Sequence, residues 1–211
     1  MPTPDYMLVD KLLIYANKLN VSTLLVINKS DIADEKFVSK ITNEYENVVD
    51  DIIKVSAKQG KGINNLVSKL ENNFNVFAGQ SAVGKSTILN AINPELKLET
   101  GELSKKASKG KHTTRHTQIY KLKNNTLIAD TPGFSLLDIF KVEPQKLKYY
   151  YTDINAFNNE CKYRACNHIN ILEKDCAVKR AVTTNKLNEE RYNRYVTHYN
   201  QIKKRWDTRY D

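Results

Sequence analysis

Residues 79–87, Gly79-Gln80-Ser81-Ala82-Val83-Gly84-Lys85-Ser86-Thr87, constrain the fold of this 211-residue chain more than any other stretch. They follow the pattern G-x-x-x-x-G-K-[ST]. Residues 75–78 before them read as a short buried strand, and residues 88–92 after them as the start of a helix. That strand–loop–helix setting is what such a loop needs in order to wrap phosphate groups. Its glycines let backbone N–H groups turn onto phosphate oxygens at the positive end of a helix. Lys85 then reaches the β- and γ-phosphates, and the Ser86 hydroxyl is a ligand for Mg²⁺.

Three further stretches fit a nucleotide site. Residues 23–27 form a continuous apolar run, as in a parallel strand covered on both faces. The run ends in Asn28-Lys29-Ser30-Asp31, the pattern N-K-x-D. A carboxylate at Asp31 accepts two hydrogen bonds from the N1–H and N2 amine of guanine. Adenine lacks the N1–H and leaves that oxygen unpaired. Lys29 lies along the base, and Asn28 ties this loop to the phosphate loop. A second strand at 52–55 ends in Ser56-Ala57-Lys58, whose backbone backs the guanine O6. A hairpin over 118–122 and 126–130, turning at Asn124-Asn125, ends in Asp130-Thr131-Pro132-Gly133. Asp130 there holds a Mg²⁺-bound water, and the Gly133 N–H reaches the γ-phosphate. Between the phosphate loop and the hairpin, residues 97–116 read as a long polar loop. It carries Lys105, Lys106, Lys109, Lys111, Arg115, His112, Thr113 and Thr114. One threonine, Thr114 or Thr113, is the expected second Mg²⁺ ligand and γ-phosphate sensor.

The charge balance points to a polyanionic partner. Lys and Arg number 33 against 24 Asp and Glu, a formal net charge of +9, which favours nucleic acid or a membrane surface. No apolar run approaches the roughly 18–20 residues of a membrane span, and residues 1–5 carry no basic-then-apolar leader pattern. Cytoplasmic localisation is therefore expected. The three cysteines all fall within 161–176. Cys161-x4-Cys166-x-His168-x7-Cys176 supplies three thiolates and an imidazole, the ligand count of a closed structural Zn²⁺ site. Residues 186–206 read as a last amphipathic helix. Leu187, Tyr192, Tyr195, Val196, Tyr199, Ile202 and Trp206 form its core side, and its lysines and arginines, Arg194 among them, are available to RNA phosphates.

The nucleotide motifs stand in a rearranged order. In ordinary GTPases the phosphate loop comes first; here N-K-x-D and S-A-K precede it. A site defined in space survives rejoining of the chain through exposed loops. With NKSD, SAK, GQSAVGKST, GKHTTRH, DTPGF and the cysteine cluster in place, the sequence resembles the circularly permuted, small-ribosomal-subunit-dependent GTPases of bacteria, the RsgA/YjeQ family. The resemblance implies GTP hydrolysis to GDP, slow alone and stimulated by the small subunit. It also implies binding to that subunit and its rRNA late in maturation, by a monomer. The expected fold class is α/β, a circularly permuted P-loop GTPase domain over residues 1–139 followed by a mainly helical zinc-binding domain over 140–211.

Departures from the family pattern carry their own expectations. Family members begin with an oligonucleotide-binding barrel and one more strand of the sheet. Five strands are counted here instead of six, so a shortened N-terminus and a gap or open edge in the sheet are expected. Ala82 stands where the family usually has Gly, a conservative change unless the position needs positive φ. Phe134 follows the D-x-P-G where many GTPases place a water-orienting glutamine. His112, which the family pattern also has, is the candidate for that role. Because D-x-P-G leads directly into the zinc module, a γ-phosphate pulling on Gly133 is expected to reorient that module. Two competing readings are an ATP-using P-loop enzyme, which N-K-x-D opposes, and a zinc-stabilised rRNA-binding module with a vestigial nucleotide site.

Overall fold

The computed structural model describes residues 3–100, 118–130 and 141–209. Helix α1 spans Tyr6–Leu19. It is enclosed on more sides than a simple amphipathic stripe predicts: Leu8, Leu13 and Ile14 are buried together with Asp10, while Leu19 is exposed. Strand β1 is Leu24–Ile27, α2 is Glu35–Tyr45 and β2 is Asp51–Lys54. Next come α3 (Ile63–Leu70), β3 (Phe74–Phe77) and α4 (Lys85–Ile92). Gly62 starts α3 at φ +74, where a Cβ would lie 2.4 Å from the Lys54 carbonyl oxygen, so only glycine fits. The hairpin is β4 (Gln118–Lys121) and β5 (Leu127–Asp130). Its turn residues Asn124 and Asn125 have φ of +53° and +49°, as a two-residue type I′ loop requires.

These strands form two sheets among the described residues. β1 pairs in parallel with β2, Leu24 opposite Asp51 through Ile27 opposite Lys54. β3 pairs in parallel with β5, and β5 antiparallel with β4, in the order β3-β5-β4. Five strands are present among the described residues, at the five places where the sequence puts them. The expected burial of two strands is not observed. β1 is largely half-buried, and in β3 Phe74 and Val76 are 58% and 50% exposed. An edge strand with one hydrogen-bonded neighbour is covered less than a central one, and side chains alternate between faces. Thus Phe77 joins Ile128 and Tyr120 over a core of Ile63, Leu66, Leu70, Ile88 and Leu89, while Phe74 and Val76 point the other way.

The chain divides into two compact units. One comprises Met1–Leu8, Leu24–Lys40 and Asp51–Leu137; the other comprises Val9–Thr23, Ile41–Asp50 and Asp138–Asp211. The second unit therefore takes in part of α1 and the end of α2 as well as the C-terminal segment. Its helices include α5 (Leu147–Tyr150), α6 (Thr152–Asn155), α7 (Ala177–Thr183) and α8 (Glu189–Asp207). α8 starts at Glu189, three residues later than its apolar pattern suggests, because Asn188 caps it by accepting the Arg191 N–H at 3.0 Å. Leu187, Tyr195 and Ile202 are buried in the core of this unit, with Tyr192, Val196 and Tyr199 packed against it.

Arg194 does not lie on the solvent side. Its guanidinium pairs with Asp10 at 2.6 Å and with Glu44, and Arg191 pairs with Asp10 at 2.7 Å and Asp153 at 2.6 Å. Tyr45 donates to Asp10 at 2.8 Å. Such groups tolerate burial only because every charge faces an opposite one, so Arg194 is occupied internally and is not an RNA contact.

Candidate functional site

Four segments converge at the carboxyl ends of the parallel strands, the usual place for a ligand in an α/β sheet. β3 runs into the phosphate loop, whose Gly84 precedes α4 at φ +97. The Ile88 N–H donates to the Gly84 carbonyl at 2.9 Å, which places Lys85, Ser86 and Thr87 in the first turn of α4. The β3/β5 register sets Asp130 opposite Phe77, two residues before Gly79. β1 delivers residues 28–31 and β2 delivers residues 56–58.

Asn28 joins three of these loops. Its Nδ2 donates to the Val83 carbonyl at 3.0 Å, and its Oδ1 accepts the Ala57 N–H at 3.2 Å. A Cβ on Gly84 would lie 2.3 Å from Asn28 Nδ2, so the close approach depends on glycine. Lys29 Nζ donates to the Ala82 carbonyl at 2.9 Å, and the Ser30 N–H to the Val55 carbonyl at 3.0 Å. The Ser56 hydroxyl beside Asp31 holds that carboxyl below its usual range, against some desolvation. Asp31, which is exposed, thus stays ionised as an acceptor, the state that guanine requires. Lys85 curls over the loop, its Nζ on the carbonyls of Gly79 at 2.7 Å and Gln80 at 2.9 Å. Burial lowers its pKa while the Asp130 charge opposes the shift.

Two features of the loop were not legible beforehand. Ala82 adopts φ +66, the condition under which replacing Gly is not conservative. Gln80 ties residues 3–5 to the loop: its Nε2 donates to the Thr3 carbonyl at 2.9 Å, and its Oε1 accepts the Asp5 N–H. Ser81 and Lys58 belong to the converging loops, and the Lys58 charge helps to hold the Asp31 carboxyl low. His112, Thr113, Thr114 and Gly133 lie outside the described residues.

The second unit gathers Cys161, Cys166, His168 and Cys176, whose donor atoms all lie within 4.8 Å of one another. Sγ–Sγ separations are 4.0 Å for Cys161–Cys176 and for Cys166–Cys176. His168 Nδ1 lies 3.5 Å from Cys161 Sγ and 3.6 Å from Cys176 Sγ. A tetrahedral Zn²⁺ with ordinary bond lengths requires edges of about 3.8 Å between sulfurs and about 3.6 Å from sulfur to nitrogen. The donor set therefore fits zinc. The Ala177 and His168 N–H groups donate to Cys161 and Cys166 sulfur at 3.3 and 3.4 Å, which favours thiolates. Without metal, burial pushes the Cys176 thiol up to about 12 and His168 down to about 4, so metal binding displaces thiol protons. The ligand loop is braced by Tyr192 on the His168 carbonyl at 2.6 Å, Tyr195 on that of Asn167 at 2.9 Å and buried Lys148 on that of Cys166 at 3.0 Å.

Residues 1–140 match the family model described as RsgA GTPase. Among curated relatives, the small ribosomal subunit biogenesis GTPase RsgA of Ruminiclostridium cellulolyticum is 40% identical over 202 residues, covering 96% of this chain and 65% of that protein. That of Thermotoga neapolitana is 40% identical over 205 residues, covering 96% and 68%. The solved structure of YjeQ from Thermotoga maritima superposes with a TM-score of 0.80 at 35% identity, covering 96% of this chain and 67% of that one. YloQ, described as a circularly permuted GTPase, gives 0.76 at 30% identity, covering 97% and 65%. The chain spans about two thirds of the length of the relatives it matches.

Proposed function

The chain belongs to the RsgA GTPase family, and we propose that it is a GTP-hydrolysing switch that binds the small ribosomal subunit and acts late in its maturation. The observation that carries this reading is Asn28, whose one amide holds the guanine-reading, S-A-K and phosphate loops together despite their rearranged order in the chain. Gly79 to Thr87 cradle the phosphates. Their anionic oxygens replace the loop carbonyls as partners of Lys85. Asp31 reads guanine with Asn28, Lys29, Ser30 and residues 56–58 around it. Ser86, one of Thr113 and Thr114, and Asp130 through a water would hold Mg²⁺, which supplies charge neutralisation at the phosphates. Gly133 senses the γ-phosphate, and His112 orients the attacking water.

Residues 140–211 form the zinc-binding domain, with Cys161, Cys166, His168 and Cys176 holding one structural Zn²⁺ that braces a surface for rRNA. The protein works as a monomer in the cytoplasm; no helix among the described residues is long and apolar enough to cross a membrane. GTP favours the subunit-bound state and hydrolysis favours release. Co-sedimentation of the chain with purified small subunits tests this. A non-hydrolysable GTP analogue should give stoichiometric binding and GDP much less. Equal binding with both nucleotides would overturn the switch reading.

A further inference from the structure

Beside the cysteine–histidine cluster, the second unit carries an open groove of about 390 Å³. Its size falls within the roughly 300–1,000 Å³ of pockets that hold small organic groups. One wall is the ligand loop, through Tyr163, Asn167 and Asn170. The other is α8, through Tyr199, Asn200 and Lys203. The first wall is fixed in place, because it contains two of the proposed metal ligands and its backbone is held by Tyr192, Tyr195 and Lys148.

The chemistry of the lining is selective. Tyr163 is a large aromatic left 50% exposed. The Lys162 ammonium stands 5.3 Å from its ring centroid and is itself anchored on Asp175 at 3.0 Å. Three asparagines, Asn167, Asn170 and Asn200, are among the lining residues; a side-chain amide offers two donors and an acceptor, the pattern that pairs with the edge of a nucleobase. Lys203 supplies a cation at the rim. No carboxylate is among the lining residues, so nothing there repels a phosphate. Flat aromatic faces, amides and a cation without acids form the recognition set for an unpaired nucleotide: stacking, edge hydrogen bonds and a phosphate contact.

We propose that this groove binds an unstacked base of single-stranded RNA. The inference rests on the reading above that the zinc-bearing unit faces rRNA, and it names what that unit reads. A base inside a duplex cannot enter, so the groove discriminates single-stranded from paired RNA rather than adding uniform affinity.

The test uses the full, zinc-loaded chain and fluorescence anisotropy with two probes, a short mixed-sequence single-stranded RNA and a duplex of the same length. Tyr163→Ala and Asn200→Ala should each weaken single-strand binding about tenfold and leave duplex binding unchanged. Tyr163→Phe should keep wild-type affinity, since the ring and not the hydroxyl stacks. Both positions are exposed, and zinc content and melting temperature verify that each variant is folded. Wild-type affinity of both alanine variants for the single strand would overturn the proposal, as would equal losses on both probes or no single-strand binding by the wild type. Nucleotide-dependent co-sedimentation with small subunits is measured in parallel. If it is present while the alanine variants keep RNA affinity, the groove is wrong and the switch reading stands. If it is absent while the variants lose single-strand affinity, the switch reading fails and the groove stands.

Discussion

Replacing Gly84 by alanine should damage the nucleotide site through one identifiable contact. The new Cβ would lie 2.3 Å from Asn28 Nδ2 and 3.6 Å from its Cγ. The Asn28 side chain must therefore move, and with it go its bonds to the Val83 carbonyl and the Ala57 N–H. Each such bond contributes about 1 kcal/mol net. The φ of +97 at Gly84 adds about 1–2 kcal/mol of backbone strain for any residue with a Cβ. Together this is about 3–4 kcal/mol, a weakening of GDP binding by about two to three orders of magnitude. In an Asn28→Ala background the clash and the two bonds are already gone, so Gly84→Ala should cost only the backbone strain. The double-mutant cycle should show a coupling of about 2 kcal/mol, read by titrating a fluorescent GDP analogue into the four proteins. Additive losses would refute the claim that Gly84 is needed to admit Asn28.

Three more outcomes follow from the same geometry. Ala82→Gly should relieve the positive φ of +66 and, after the greater chain entropy of glycine, raise stability by about 0.5–1 kcal/mol; calorimetry would show a melting temperature higher by a few degrees, and an unchanged one would contradict it. Asp10→Asn should leave Arg191 and Arg194 short of a buried charge partner and cost about 3–5 kcal/mol in urea unfolding. His198 should make the second unit acid-sensitive. Burial, helped by the charges of Lys11, Arg194 and Arg191, lowers its pKa from 6.5 to about 3, with its Nδ1 against the Tyr151 hydroxyl at 2.7 Å. The unfolded chain then takes up the proton first, so stability is full above pH 6.5 and falls toward pH 3 by about 1.4 kcal/mol per unit. His198→Gln should flatten that part of the wild-type profile, whereas parallel profiles would rule it out.

What could be read from the sequence was whatever depends on residue type at short range. The nucleotide loops are contiguous motifs at strand ends, so Asn28, Asp31, Ser56 and Lys85 fall where their spacing puts them. The candidate zinc ligands sit within sixteen residues, and their four donor atoms meet in the fold. The hairpin was visible because two consecutive asparagines tolerate positive φ.

What escaped depends on tertiary position. Asp10 and Arg194 look like solvent-face residues of their helices; only the fold brings them together, 184 positions apart, into a buried pair. Alanine gives no local sign of positive φ, so the strain at Ala82 needed the loop's actual path. The clamp between Gln80 and residues 3–5 spans 77 positions and has no sequence signal. Burial of β1 and β3 was overestimated because apolar content alone does not say which strand is an edge.

The central claim is a guanine-specific site coupled to the ribosome. The most direct measurement is GTP turnover by this chain with and without purified small ribosomal subunits, with ATP and Lys85→Ala as controls. The account predicts slow turnover alone and clear stimulation by subunits, absent with ATP and lost in Lys85→Ala. Turnover that subunits leave unchanged, or that ATP supports equally, would contradict it.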